Sequence, residues 1–154
     1  MPHVLFLCSG NYYRSRFAEL LFNALAETAG SEWRAESRGL RLSGFNPGPI
    51  SRHTVSELLS LGVVVSESPR WPQLVVEEDF LRAAHVVALK EAEHRPLMQE
   101  LFPAHVARVE FWHIHDQDVA APAEALPELT VAVRELVERL KGEGRREKGE
   151  KRGE

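Results

Sequence analysis

The sequence predicts an α/β fold in which helices cover both faces of a four-stranded parallel sheet, a three-layer, doubly wound arrangement. Short apolar runs with strand character alternate along the chain with segments of helical periodicity, which is typical of parallel sheets built from right-handed crossovers. Residues 3–8 and 85–89 are almost continuously apolar, as strands buried on both faces usually are. A chain of 154 residues is of single-domain length and can bury a substantial core.

The first part of the chain predicts a strand, a helix and a second strand. Residues 3–8 form the first predicted strand, and residues 15–29 repeat apolar side chains at helical spacing until Gly30, which can close a helix. A second strand is predicted at residues 33–37, although its composition is polar. Residues 39–51 are rich in glycine, proline and serine, so we expect a surface loop that borders the functional site.

A second helix is predicted after this loop. Ser51 can cap its N-terminus, and Gly62 can end it. Residues 63–65 are three valines that should return toward the sheet, and the proline-containing segment 66–74 is expected to be irregular. The acidic run at residues 77–79 suits the first turn of a short helix, where the helix dipole favours negative charge.

The rest of the chain completes the alternation of strands and helices. Residues 85–89 form the third predicted strand, and residues 91–101 form a helix in which Pro96 marks a first turn or a kink. The fourth strand is predicted at residues 106–114. Residues 122–140 carry apolar side chains at helical spacing and therefore predict a long final helix.

Charge and composition limit the possible functions. One predicted domain covers residues 1–140, and residues 141–154 form a charged tail with six basic and four acidic side chains. The net charge of −4 argues against nucleic-acid binding. No apolar run is long enough to span a membrane, no signal-peptide pattern is present and only one cysteine occurs. We therefore expect a cytoplasmic protein without membrane contact and without an internal disulfide.

The stretch that carries chemistry lies between the first strand and the first helix. Cys8 ends the strand, Gly10 and Asn11 tolerate backbone conformations that are rare in other residues, and Arg14 follows the cysteine by six positions. Successive backbone N–H groups of such a loop can surround an anion, and the guanidinium fork matches two phosphate oxygens. The predicted phosphate-binding residues are Ser9, Gly10, Asn11, Tyr12, Tyr13, Arg14 and Ser15.

These residue types predict phosphoryl transfer through a phosphocysteine. Positive surroundings favour the thiolate form of Cys8, which is the form that attacks phosphorus. Arg14 would hold the equatorial oxygens, and the Ser15 hydroxyl would donate to the sulfur. The predicted reaction uses no metal and no other cofactor. His113 and His115 alternate near the end of the fourth strand and could serve a zinc site, but a polar strand face has the same pattern.

The segment Cys8-x5-Arg14-Ser15, preceded by Val-Leu-Phe-Leu, resembles that of the low-molecular-weight protein tyrosine phosphatases and their arsenate-reductase relatives. The resemblance implies a sheet in the strand order 2-1-3-4. It also places a general acid in a W-x-x-x-D-P segment. Asp116 matches the aspartate of that segment, Gln117 stands in place of its proline, and Asp118 is the alternative acid.

The resemblance also implies supporting residues and shows departures from the family pattern. Ser37 matches a serine that anchors Asn11, whereas the usual histidine partner is missing near residues 67–70. Tyr13 stands where many members carry a second cysteine, so no disulfide within the loop can protect the nucleophile. Tyr12 and Phe45 are the candidate walls of the substrate pocket.

The function implied by the residues and the resemblance is hydrolysis of phosphotyrosine-like monoesters, in a phosphorylated protein or a small aryl phosphate. Inorganic phosphate would be the product and an inhibitor. Two alternatives stay open: a protein-arginine phosphatase, and a catalytically degenerate member that only binds phosphate groups. The bulky Tyr12 resembles the tyrosine-directed members more than the phosphoarginine-directed ones.

Overall fold

The computed structural model describes the backbone of residues 1–152 and the side chains of residues 1–143. Most of the charged tail predicted at residues 141–154 therefore lies outside the residues whose side chains are described. The elements, in chain order, are β1 (His3–Cys8), α1 (Arg14–Thr28), β2 (Arg34–Gly39), α2 (Arg52–Ser60), α3 (Glu77–Arg82), β3 (His85–Ala88), α4 (Glu91–Leu101), a 3₁₀ helix (Pro103–Arg108), β4 (Val109–Phe111) and α5 (Pro122–Arg152).

The four strands form one parallel sheet in the order β2-β1-β3-β4, which confirms the predicted fold. The central strand β1 pairs with two neighbours, so that Val4 lies opposite Ala35 on one side and His85 on the other. Because all strands are parallel, their carboxyl ends meet at one edge of the sheet. In open α/β sheets this edge is where ligands bind.

Helices cover both faces of the sheet, since successive side chains of a strand point to opposite sides. Val4 and Phe6 of β1 pack in one buried cluster with α1, α2 and α5, whereas Leu5 and Leu7 pack in a second cluster with α3 and α4. The first cluster is the larger of the two. No helix among residues 1–152 is long and apolar enough to cross a membrane.

Residues 63–65 form no strand of their own: Val63 and Val65 pack against the first buried cluster, and Val64 is 90% exposed. One predicted strand is shorter than expected. The fourth strand is only Val109–Phe111, because Pro103–Arg108 forms the 3₁₀ helix instead. Tertiary contacts explain this helix: His105 stacks on the Phe80 ring at 4.5 Å, and Arg108 donates to the Phe80 carbonyl at 2.7 Å. These contacts outweigh the strand propensity of a short apolar run.

The carboxyl end of β1 is held close to both neighbouring strands. The Cys8 carbonyl accepts a hydrogen bond from the Leu40 N–H at 2.9 Å, and the Ser9 carbonyl accepts one from the Arg41 N–H at the same distance. A side chain at Gly39 would have its Cβ only 2.7 Å from the Ser9 carbonyl oxygen. This close approach requires glycine and draws the loop after β1 against the end of β2.

Candidate active site

The loop between β1 and α1 has the conformation that an anion-binding site requires. Asn11 adopts the left-handed region, with φ of 51°. Gly10, in contrast, does not use the positive φ that its sequence position allowed, and glycines in that region occur only at positions 30 and 62 within the described chain. Asn11 alone therefore turns the loop, at a cost that its hydrogen bonds must offset.

In the loop, several carbonyl groups are bonded to the surrounding protein, whereas most backbone N–H groups are not. The carbonyls of Cys8, Ser9, Tyr12 and Tyr13 accept hydrogen bonds from outside the loop. Within the described residues, by contrast, no protein group accepts from the loop's backbone N–H groups, apart from that of Asn11. The residues with these unpaired N–H groups are Ser9, Gly10, Tyr12, Tyr13, Arg14 and Ser15. Such a series of donors can hold the oxygens of a tetrahedral anion.

The Cys8 sulfur lies at the base of the cleft and is almost fully buried, with the residue 3% exposed. The Ser15 hydroxyl is 2.9 Å from Sγ, and the Asn11 backbone N–H donates to Sγ at 3.3 Å. The structure thus brings together the predicted nucleophile and the predicted hydroxyl donor.

Arg70 is the supporting residue that the sequence did not reveal. It donates from Nη1 to the Asn11 side-chain oxygen at 2.9 Å, and from Nη2 to the Ser37 carbonyl at 2.9 Å and to Glu19 at 3.0 Å. The Asn11 side-chain amide in turn donates to the hydroxyls of Ser15 and Ser37, at 2.8 and 2.9 Å. Arg70 therefore occupies the place of the missing histidine and fixes the left-handed residue.

Replacing Arg70 by alanine should lower kcat/KM for an aryl phosphate about tenfold and weaken inhibition by phosphate similarly, because the strain at Asn11 is then held by fewer bonds. Arg70→His should restore part of the loss, since an imidazole can still donate to the Asn11 oxygen. Steady-state kinetics with phosphate as inhibitor measure both values. Arg95→Ala, which removes a surface pair with Glu91 at 2.6 Å, is the matched control. Equal activity in the Arg70 and Arg95 variants would contradict this role.

The Arg14 guanidinium is buried and held from one side by Glu93, the second residue that the sequence did not reveal. Nη1 donates to Glu93 Oε2 at 3.1 Å and Nη2 donates to Oε1 at 3.0 Å, while the Ile114 carbonyl accepts from Nη1 at 3.0 Å. The Ser9 hydroxyl also donates to Glu93. Arg14 Nε has no partner among the described residues, so this edge of the guanidinium is available to a ligand in the cleft.

His94 completes this group of side chains. Its Nδ1 accepts from the Lys90 backbone N–H at 3.0 Å, so the proton lies on Nε2, which is 3.4 Å from Glu93 Oε1. Burial lowers the pKa of His94, which keeps the ring neutral near pH 7. The hydrogen bond from His94, together with those from Arg14 and Ser9, outweighs burial and lowers the pKa of Glu93 far below its usual range. Glu93 is thus a permanent counter-ion of Arg14.

Glu93→Gln should lower the free energy of unfolding by about 1–3 kcal/mol, because the buried Arg14 would lose a charged partner. The matched control is Glu91→Gln on the same helix. Its pair with Arg95 is half exposed, so we expect a change of about 0.5 kcal/mol or less. Denaturant titration at neutral pH measures both changes, and added phosphate should stabilise Glu93→Gln more than the wild type. Equal stability of the two variants would contradict the prediction.

Asp116 lines the same cleft as Cys8 and the loop after β1. Its Oδ2 is 3.5 Å from Arg14 Nη2, and its side chain is 39% exposed. The Ile114 N–H donates to the Leu89 carbonyl at 2.8 Å, which ties the segment to the end of β3 and directs it over the cleft. Asp116 lines the cleft, whereas Asp118 does not. The structure therefore brings the first of the two candidate acids to the nucleophile.

The cleft has a volume of about 220 Å³. Tyr12 and Tyr13 line it, together with three side chains that the sequence did not single out: Arg41, Ser43 and Asn46. Burial, reinforced by the charge of Asp116, raises the pKa of Tyr13 to about 12, so its phenol stays neutral. Phe45 is not brought to the cleft. Its ring is 96% exposed, because the loop turns Ser43 and Asn46 inward and Phe45 outward.

The described residues include no group of three His, Cys, Asp or Glu side chains placed to hold a metal ion. His113 and His115, the residues considered for zinc, are both exposed.

A cysteine beneath unpaired amides, at the carboxyl edge of a four-stranded parallel sheet, defines a class: the small α/β phosphatases with a cysteine in their phosphate-binding loop. Comparison with known proteins agrees. The family described as low molecular weight phosphotyrosine protein phosphatase matches residues 3–143, and the chain belongs to that family. It is therefore a phosphatase. No curated protein sequence matches the chain.

Several solved structures share the fold. A low molecular weight protein tyrosine phosphatase from T. tengcongensis is 25% identical, with a TM-score of 0.76 over 90% of this chain and 99% of that one. The YwlE arginine phosphatase from Geobacillus stearothermophilus is 22% identical, with a TM-score of 0.75 over 93% of this chain and 95% of that one. Wzb from Vibrio vulnificus, in complex with benzylphosphonate, is 14% identical, with a TM-score of 0.76 over 90% and 98%.

Proposed function

We propose that the protein hydrolyses phosphotyrosine-like monoesters through a phosphocysteine intermediate. The observation that carries this proposal is the ring of unpaired loop amides with the Cys8 sulfur at its base and the Arg14 guanidinium beside it. A benzylphosphonate, which has the shape of an aryl phosphate, binds to the related fold of Wzb. Tyr12 at the cleft wall offers an aromatic surface for such a ring.

In the first step the Cys8 thiolate attacks phosphorus, an S–P bond forms and the ester P–O bond breaks. Asp116 gives its proton to the departing oxygen, which leaves as a phenol. The loop amides and the free Nε edge of Arg14 hold the three equatorial oxygens, whose charge is redistributed in the transition state. Glu93 keeps the guanidinium in this orientation.

In the second step water attacks the phosphorus of the phosphocysteine, and the S–P bond breaks. Asp116, now ionised, takes a proton from the water, so that the acid of the first step serves as the base of the second. The departing sulfur regains its hydrogen bonds from Ser15 and the Asn11 N–H. Inorganic phosphate is released as the product, and it should also inhibit by binding the same amides.

A second candidate function is removal of phosphate from arginine. It is favoured by the likeness to an arginine phosphatase and by the carboxylate of Asp116 at the cleft, which suits a cationic leaving group. The bulky Tyr12 favours the aryl substrate instead. Competition between phosphotyrosyl and phosphoarginyl peptides for the same enzyme, measured as a ratio of kcat/KM values, separates the two.

The proposed function is tested by turnover of an aryl phosphate at mildly acidic pH in the presence of a chelator. We expect release of phosphate at an undiminished rate when the chelator is added, and competitive inhibition by inorganic phosphate. Phosphate binding without any turnover would instead indicate the degenerate, phosphate-binding member of the family.

A further inference from the structure

A second groove lies beside the catalytic cleft. Its volume is about 580 Å³, more than twice that of the cleft. Three residues line both the groove and the cleft: Tyr12, Asn46 and Gln117. A ligand held in the cleft can therefore extend past Tyr12 into the groove. Arg52 and His53, in the first turn of α2, line the groove but not the cleft.

The groove is tied to the phosphate loop by hydrogen bonds. The Ser51 N–H donates to the Tyr12 carbonyl at 3.0 Å, and the Thr54 hydroxyl donates to the Tyr13 carbonyl at 3.0 Å. The buried Arg16 also donates to the Pro49 carbonyl at 2.9 Å. These three contacts fix the loop before α2 against the start of α1, so that groove and cleft keep one relative position.

The charges of the groove are of one sign. Among the described residues, Arg52 and His53 are its only basic lining residues, and no carboxylate lines it. The Arg52 guanidinium makes no hydrogen bond or ion pair with any described residue, whereas other arginines near the sheet edge, such as Arg14 and Arg70, are paired. In a chain with a net charge of −4, an unpaired cation beside the cleft is suited to an anionic group of a ligand.

We infer that this groove is a substrate subsite for an acidic side chain that lies close in sequence to the phosphorylated residue of a protein substrate. The inference rests on the proposed function. An extended peptide advances about 3.3 Å per residue, so an aspartate or glutamate one to three residues from the phosphorylated tyrosine can reach past Tyr12 to Arg52. The preferred substrates are thus acidic phosphopeptides.

The test measures binding of fluorescent phosphotyrosyl peptides with glutamates or with lysines on both sides of the tyrosine. Binding is measured on the Cys8→Ser protein, so that turnover is not required. We expect the glutamate peptide to bind about tenfold more tightly at low salt, with a smaller ratio at high salt. Arg52→Glu, placed in the same background, should reverse the preference. Glutamate suits the first turn of a helix, so this variant should fold.

The matched control is Arg134→Glu, which makes the same charge change on the exposed face of α5, in a different surface pocket beside α1. We expect it to leave the ratio of the two dissociation constants unchanged. The subsite proposal would be overturned if the two peptides bound equally, or if Arg52→Glu and Arg134→Glu changed the ratio of the dissociation constants by the same factor. In the protein with Cys8 intact, Arg52→Glu should hydrolyse a small aryl phosphate at a rate within about twofold of wild type. If the wild type did not hydrolyse this substrate, the proposed function would be refuted, whereas the peptide-binding test of the subsite would still stand.

Discussion

Replacement of Cys8 by serine is expected to abolish hydrolysis of an aryl phosphate, with a loss of about 10⁴-fold or more in kcat, while inorganic phosphate still binds. A serine hydroxyl is a far weaker nucleophile than a thiolate, and no base lies next to it within the described residues: its hydrogen-bonding neighbours are the Ser15 hydroxyl and the Asn11 N–H, and neither is a base. The amides and Arg14 that would hold the phosphate oxygens are unchanged in this variant.

Two measurements on the same protein sample test this expectation. Steady-state turnover gives the loss of activity, and calorimetric titration with phosphate gives the affinity. Ser15→Ala is the informative companion, because it removes the hydroxyl 2.9 Å from the sulfur and leaves the nucleophile, so we expect only about a 10- to 100-fold loss. If Cys8→Ser kept an undiminished rate, the phosphocysteine pathway would be wrong.

The phosphate loop could be predicted from the sequence because its determinants are local. Cys8 and Arg14 are separated by six positions, and the strand before them and the helix after them are short-range patterns. Asn11 is among the few residue types that adopt the left-handed region readily, and the structure places it there. The residues that define the loop lie within eight consecutive positions, 8–15, so a local sequence pattern marks them even though distant residues help to hold the loop's conformation.

Ser37 was expected from the resemblance, but the supporting residues Arg70 and Glu93 could not be predicted in the same way, because they approach the loop from distant parts of the chain. Arg70 comes from an irregular segment without periodicity, 59 positions after Asn11, and Glu93 lies 79 positions after Arg14. One signal could have found Glu93: it stands in the first turn after β3, whose carboxyl end meets the same sheet edge as Cys8. Nothing comparable marked Arg70, since an arginine beside prolines is usually a solvated surface residue.

The fourth strand and the pocket wall show a different limit of prediction from sequence: tertiary contacts and loop torsions decide structures that a residue pattern does not specify. The apolar pattern at residues 106–114 fits a strand, yet the contacts of His105 and Arg108 with α3 and the turn after it place residues 106–108 in a 3₁₀ helix. Phe45 was a reasonable wall by composition, but in a loop without periodicity the side of the chain that faces the cleft depends on backbone torsions that no pattern specifies.

Asp116→Asn is expected to lower kcat/KM about 10²- to 10³-fold for phenyl phosphate and much less for a nitrophenyl ester, because a poor leaving group needs a proton and a good one does not. Asp118→Asn should stay within about twofold of wild type for both substrates, since that side chain does not line the cleft. The two variants make the same chemical change two positions apart, so any difference between their activities comes from the position of the side chain and not from the loss of a charge.

The dependence on leaving group is the decisive measurement, because Asp116 also lies 3.5 Å from Arg14. If its main role were to orient the guanidinium, Asp116→Asn would slow both esters equally and would change the affinity for inorganic phosphate. If it is the acid, the loss must grow as the leaving group becomes more basic, while phosphate affinity changes little. Glu93 already holds both terminal nitrogens of Arg14 with shorter contacts, so the guanidinium has an orienting partner other than Asp116.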